Sequence, residues 1–119
     1  MRIRFLFLCS LLVLVSCEEI IEVEDISQAQ IDILAPTNDA VLNTTQLRFS
    51  WQDLEFSEYY RLQVATPNFL EAIQIVEDTL ISTTEFNKIL QVGDYQWRIK
   101  AINSAYQTQY QTQSFSIEE

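Results

Sequence analysis

An all-β antiparallel sandwich of seven short strands is the fold class that this sequence predicts. Three observations carry the prediction. Apolar and polar residues alternate at period two in several short runs, the pattern of half-buried strands. Turn-forming residues separate these runs at regular spacing. No stretch sustains the 3.6-residue apolar period of a helix; Leu54 to Tyr59 and Asn87 to Val92 hold a helical turn at most.

The elements follow in order. The chain opens with Arg2 and Arg4, an apolar run from Phe5 to Val15, and the tetrapeptide Leu14-Val15-Ser16-Cys17. A charged start, a short apolar run and a small-residue cut make an export signal. As a helix this run rises about 16 Å at ~1.5 Å per residue, half of a ~30 Å hydrocarbon core, so it is too short to span a membrane. Leu14-Val15-Ser16-Cys17 resembles the lipobox of bacterial lipoproteins. That resemblance implies a signal peptide over 1–16, cleavage before Cys17, and lipidation of Cys17 by a diacylglyceryl group plus an amide-linked third chain. One acyl chain holds a protein only marginally, because each buried methylene contributes about 0.8 kcal/mol; two or more anchor it stably.

Residues 17–30 are rich in acids (Glu18, Glu19, Glu22, Glu24, Asp25) and carry no cap or turn signature. They are expected to form a flexible tether, since a charged spacer repels itself and extends. The acids just behind the cysteine resemble the export tags of surface lipoproteins in Bacteroidota. This implies an outer-membrane address, on the cell surface in preference to the periplasmic face.

The remaining residues, 31–119, supply the strands. Ile31 to Leu34 leads into Ala35-Pro36-Thr37-Asn38-Asp39, where proline ends pairing and Asn-Asp suits a turn. Gln46 to Gln52 places Leu47, Phe49 and Trp51 on one face, and Tyr60 to Val64 does the same for Tyr60, Leu62 and Val64. Ile73 to Glu77 and Leu80 to Thr84 read as two short strands. Tyr95 to Ala101 turns its apolar residues inward and Gln96, Arg98 and Lys100 outward; a last strand from Tyr110 carries Phe115 and Ile117.

The ordered set of a proline after the first strand, Trp51 on the second, Tyr60 opening the third and Leu90-Gln91-Val92-Gly93-Asp94-Tyr95 before the sixth resembles a fibronectin type III domain, an immunoglobulin-like sandwich. The resemblance covers about residues 31–117 and makes Tyr95 a tyrosine corner, with its hydroxyl bonded to the chain just upstream. Gly93 stands where that corner asks for backbone freedom. Trp51, Tyr60, Tyr95 and Trp97 are expected core residues. No Arg-Gly-Asp triplet is present, so integrin-type adhesion does not transfer.

Composition narrows the function. The chain has 7 Lys+Arg, 17 Asp+Glu and no histidine. Removing Arg2 and Arg4 leaves 5 cations against 17 acids, a formal −12 for the mature chain, which repels phosphate backbones and argues against nucleic acid. Without histidine there is no His-based metal site or Ser-His-Asp triad. Cys9 falls in the signal, so the mature chain forms no internal disulfide. Asp53 with Glu55, and Glu77 with Asp78, are paired acids in solvated positions, and Glu22, Glu24 and Asp25 lack the loop glycine of an EF-hand. No catalytic residue, metal or cofactor is assigned. Tyr59, Tyr106 and Tyr110 fall on outward or loop positions, with Phe69, and form a tentative ligand face on which sugar rings could stack. Asp78-Thr79-Leu80 fits a short acceptor pattern for O-glycosylation in Bacteroidota. The expected role is a non-catalytic module that docks another envelope protein; the alternative is glycan capture in a polysaccharide-uptake system.

Overall fold

The alternating runs pair into two sheets in the computed structural model, which describes residues 22–119; the expected signal peptide over 1–16 and the expected lipidation site Cys17 lie outside these residues. Eight strands are present: β1 (Ile33–Ala35), β2 (Ala40–Leu42), β3 (Gln46–Trp51), β4 (Tyr59–Thr66), β5 (Gln74–Ile81), β6 (Glu85–Ile89), β7 (Gly93–Ile102) and β8 (Gln111–Ile117). One sheet has the order β1-β3-β6 and the other β2-β8-β7-β4-β5. Among the described residues there is no helix.

The count of eight against the expected seven has local causes. The runs at 73–77 and 80–84 are one strand, β5, because Asp78-Thr79 continues the ladder, with Gln63 opposite Asp78 and Leu62 opposite Thr79. Thr79 therefore lies mid-strand on the core-facing side, a poor position for a sugar acceptor. The possible turn at 87–92 overlaps β6, where Phe86 pairs with Phe49 and Lys88 with Leu47. Pro36 breaks the first strand, since it has no N–H to donate. The chain then crosses to the other sheet as β2 and runs parallel to β8, the one parallel pairing in the fold.

Leu47, Phe49, Trp51, Tyr60, Leu62, Val64, Trp97, Ile99, Phe115 and Ile117 fill the space between the sheets. Fully burying an aliphatic or Phe side chain contributes about 1.5–3 kcal/mol. Edge-to-face pairs add geometry: Phe49 lies 4.9 Å from Trp97 and Trp51 lies 5.5 Å from Tyr60, centroid to centroid. Polar tips find partners, except the buried Trp51 indole N–H. The Trp97 indole donates to Pro36 O at 3.1 Å, and the Tyr95 hydroxyl donates to Gln91 O at 2.8 Å. Gly93 has φ +157°, and a Cβ there would meet the Tyr95 ring at an ordinary 3.7 Å; backbone geometry, and not space, calls for glycine.

The tether boundary moves. The segment through residue 30 was expected to be free, yet Ile26 is 4% exposed and belongs to the core. Asp25 accepts from Ser27 N and Ser27 Oγ, a tight turn that aims Ile26 inward. The Asn103 amide donates to Glu24 O at 2.9 Å and Phe56 O at 3.1 Å, and its oxygen accepts from Ala105 N and Tyr106 N. One aliphatic anchor and one buried amide bind the segment to the end of the sandwich formed by the 52–58 and 103–110 loops. The 66–73 loop lies at the opposite end, because β4 runs from one end to the other.

Candidate ligand-binding face

The outer face of the five-stranded sheet is built by the residues that alternate with the core. Along β7 these are Gln96, Arg98 and Lys100; along β4 they are Tyr59, Arg61 and Gln63. Register places Lys100 opposite Arg61 and Arg98 opposite Gln63, with Thr112 on the other side of Arg98. Neighbouring strands lie about 4.8 Å apart and alternate residues along a strand about 6.8 Å apart, so the three cations form a tight triangle.

Their partners differ. Arg61 is bound by Asp78 through two bonds of 2.9 Å, Nε to Oδ1 and Nη2 to Oδ2. This fork holds the Asp78 carboxyl below its ordinary range. Arg98 Nε donates to Gln63 Oε1 at 2.8 Å, and its guanidinium packs against two rings, 4.1 Å from the Phe69 centroid and 4.3 Å from that of Tyr110. Lys100 Nζ stands 4.7 Å from the Tyr110 ring. Among the described residues neither Arg98 nor Lys100 has a carboxylate partner; the ion pairs are Arg48–Glu85, Arg61–Asp78 and Lys88–Glu77. Burial first, then the charges of Arg61 and Arg98, lower the Lys100 amine below its ordinary value.

The Phe69 ring is held in place by the sheet. Gln96 Oε1 accepts from Phe69 N at 3.0 Å while its amide donates to Ser114 Oγ, and Thr66 Oγ1 donates to Asp94 O at 2.6 Å. The 67–73 loop is thereby folded back, with Phe69 over Arg98. Its other apolar residues face water: Leu70 is 93% and Ile73 is 86% exposed.

The three tyrosines of the expected ligand face stand on different elements. Tyr110 belongs to the cationic cluster, its ring in contact with Arg98 and Lys100. Tyr59 is exposed on β4 opposite Ile102, and Tyr106 sits in the turn organised by Asn103. Trp51, Tyr60, Tyr95 and Trp97 are all at most 7% exposed. The paired acids are engaged singly: Asp53 accepts from the Tyr60 hydroxyl at 2.6 Å, Asp78 holds Arg61, and Glu77 holds Lys88 at 3.0 Å. Among the described residues no three Asp, Glu, His or Cys side chains gather as metal ligands would.

Sequence reading placed Arg98 and Lys100 outward without assigning them a role, and passed over Arg61. A signal was available. Three of the five cations in residues 22–119 stand on outward phases of two strands that pair.

No family model matches the chain, and no curated protein matches its sequence. Solved structures do match. The fibronectin(III)-like modules of Clostridium thermocellum CbhA superpose with a TM-score of 0.54 at 9% identity, over 75% of this chain and 96% of that one. FN3tt superposes with a TM-score of 0.52 at 14% identity, over 74% and 95%. The fibronectin type III domain of human KIAA0970 protein gives 0.53 at 9% identity, over 73% and 72%. At these identities the likeness is one of fold, and the fold is a fibronectin type III-like sandwich.

Proposed function

We propose that this protein is a non-catalytic interaction module of the cell envelope, anchored by lipid at Cys17 and docking another envelope protein. The observation that carries the docking is the exposed apolar tip formed by Leu70, Ile73 and Ile75, the last 49% exposed, beside a loop pinned to the sheet by Gln96. Apolar side chains displayed on a fixed backbone bind with little ordering cost. The anchor reading is supported by Leu14-Val15-Ser16-Cys17 and the charged, apolar leader before it. The docked segment adds a geometric consequence. Seven residues from Cys17 to Glu24 reach about 25 Å at ~3.5 Å each. The end bearing the 52–58 and 103–110 loops then faces the bilayer, and the apolar tip points away from it.

Photo-crosslinkers placed at Leu70 and Ile73 in intact cells test the docking. A discrete protein adduct that disappears with Ile73→Asp supports the reading; a ladder unchanged from that of a crosslinker at Arg48 refutes it. Cys17→Ser tests the anchor, and a variant still found with membranes refutes lipidation. Glycan capture is the second reading, favoured by the exposed sheet face on which Tyr110 stands with two unpaired cations.

A further inference from the structure

The five cations of the mature chain are unevenly spread, and the unevenness has a cost. Like charges within about 7 Å repel, and Lys100 stands half-buried beside two guanidinium groups with no acid of its own. A chain with 17 acids does not lack carboxylates to neutralise it. Arg98 is fixed in place: Gln63 takes Nε and the Phe69 and Tyr110 rings pack against the guanidinium. Its Nη groups have no partner among the described residues, so donors are held ready at the rim of a flat, open sheet.

We propose that this face binds a carboxylated polysaccharide, with Arg98 and Lys100 taking carboxylates and Tyr110 lying against the sugar chain. The chemistry of the surroundings selects this ligand. Between and beside the cations stand the amide of Gln63 and the hydroxyl of Thr112, opposite Arg98 on either side. Neutral hydrogen-bonding groups suit sugar hydroxyls. A protein hot spot needs an apolar, desolvated centre; here the apolar residues Leu70 and Ile73 lie in the 66–73 loop, away from the centre. An open surface fits an extended polymer, and carboxylates repeated along it meet cations about 5–7 Å apart.

The proposal rests on the glycan reading and narrows it to acidic sugars. Titration calorimetry on the full chain, purified in neutral detergent, tests it with polygalacturonate, dextran and poly-L-glutamate as probes. Polygalacturonate is expected to bind, dextran and poly-L-glutamate to bind far more weakly. Lys100→Gln should weaken polygalacturonate about tenfold, the loss of one charge-assisted contact. Arg98→Gln should weaken it at least as much, while Arg48→Gln on the other sheet changes nothing. Because Arg98→Gln also loosens the Phe69 stack, Lys100→Gln is the deciding variant, with near-ultraviolet circular dichroism as its check on folding. Dextran bound as well as polygalacturonate keeps the glycan reading and overturns the acidic one. Poly-L-glutamate bound equally well overturns the sugar assignment in favour of an acidic protein. Binding to none of the three at millimolar repeat units overturns both.

Discussion

Replacing Asn103 by alanine removes the link between the N-terminal segment and the sandwich. Asn103 is 7% exposed and makes four hydrogen bonds, two as donor to Glu24 O and Phe56 O and two as acceptor from Ala105 N and Tyr106 N. A typical intramolecular hydrogen bond contributes about 0.5–1.5 kcal/mol net, and a buried group left unpaired costs about 1–3 kcal/mol. The neighbouring residues 104–106 are exposed, so water replaces part of what is lost. The expected loss is therefore about 2–3 kcal/mol, below the sum of four separate bonds. For a domain near 100 residues that lowers Tm by roughly 10–20 °C. Urea unfolding followed by tryptophan fluorescence measures the energy, and cleavage by a glutamate-specific protease after Glu24 measures release of the segment. Ser104→Ala, in the same turn and exposed, is the control. Stability within about 0.5 kcal/mol of the parent, with no faster cleavage at Glu24, would refute the view that Asn103 docks the segment.

Three other outcomes are expected. Tyr60→Phe should cost more than Tyr95→Phe in urea unfolding: it strands Leu54 N and the Asp53 carboxylate, whereas Tyr95→Phe frees a single carbonyl, worth about 1 kcal/mol. Trp97→Phe should cost about 1–2 kcal/mol more than Trp51→Phe by the same measurement, because Trp97 loses its bond to Pro36 O while the Trp51 indole N–H is buried without a partner. The Asp78 carboxyl is lowered in the folded state, so the stability it contributes is present above the ordinary aspartate value of 3.8 and is lost as pH falls through its folded value. Asp78 is 38% exposed, so solvent limits the effect to about 0.5 kcal/mol or less; an Asp78→Asn variant should show a shallower acid limb by that amount in pH-dependent unfolding.

Much of the sandwich is legible in the sequence where one face is uniformly apolar. Gln46 to Trp51 and Tyr95 to Ala101 alternate without a break, and their buried residues are the ones that the period selects. Legibility fails where tertiary partners decide. In Glu85-Phe86-Asn87-Lys88-Ile89 only Phe86 is apolar on the inward phase, and Lys88 takes the other inward position because Glu77 is there to pair with it. Asp78-Thr79 looks like a turn until Arg61 supplies a partner across the ladder. Ile26 looks like part of a charged spacer, since a lone isoleucine among acids has no periodicity to mark it. Its burial depends on Asn103, more than seventy residues away. The candidate face was half legible: outward phases show from alternation, but the Phe69 and Tyr110 rings meet Arg98 only because Gln96 folds the 67–73 loop back onto the sheet.

The docked segment and the cationic face bear on one another through charge and distance. At physiological salt the screening length is about 8 Å, so cations about 5–7 Å apart act together. The paired sheets are about 10 Å apart, which puts the acids of the other sheet beyond that range. Glu22, Glu24 and Asp25 are the densest run of acids in the described chain, and a free segment would carry them as mobile counter-charges. Ile26 and Asn103 fix that stretch to the 52–58 and 103–110 end instead. Docking holds those carboxylates beside Ala105 and Tyr106, where none of them pairs with Lys100. Releasing the segment would therefore place a competing anion near the face at high local concentration. Loss of polygalacturonate affinity in Asn103→Ala, with every residue of the face intact, is the signature of that competition.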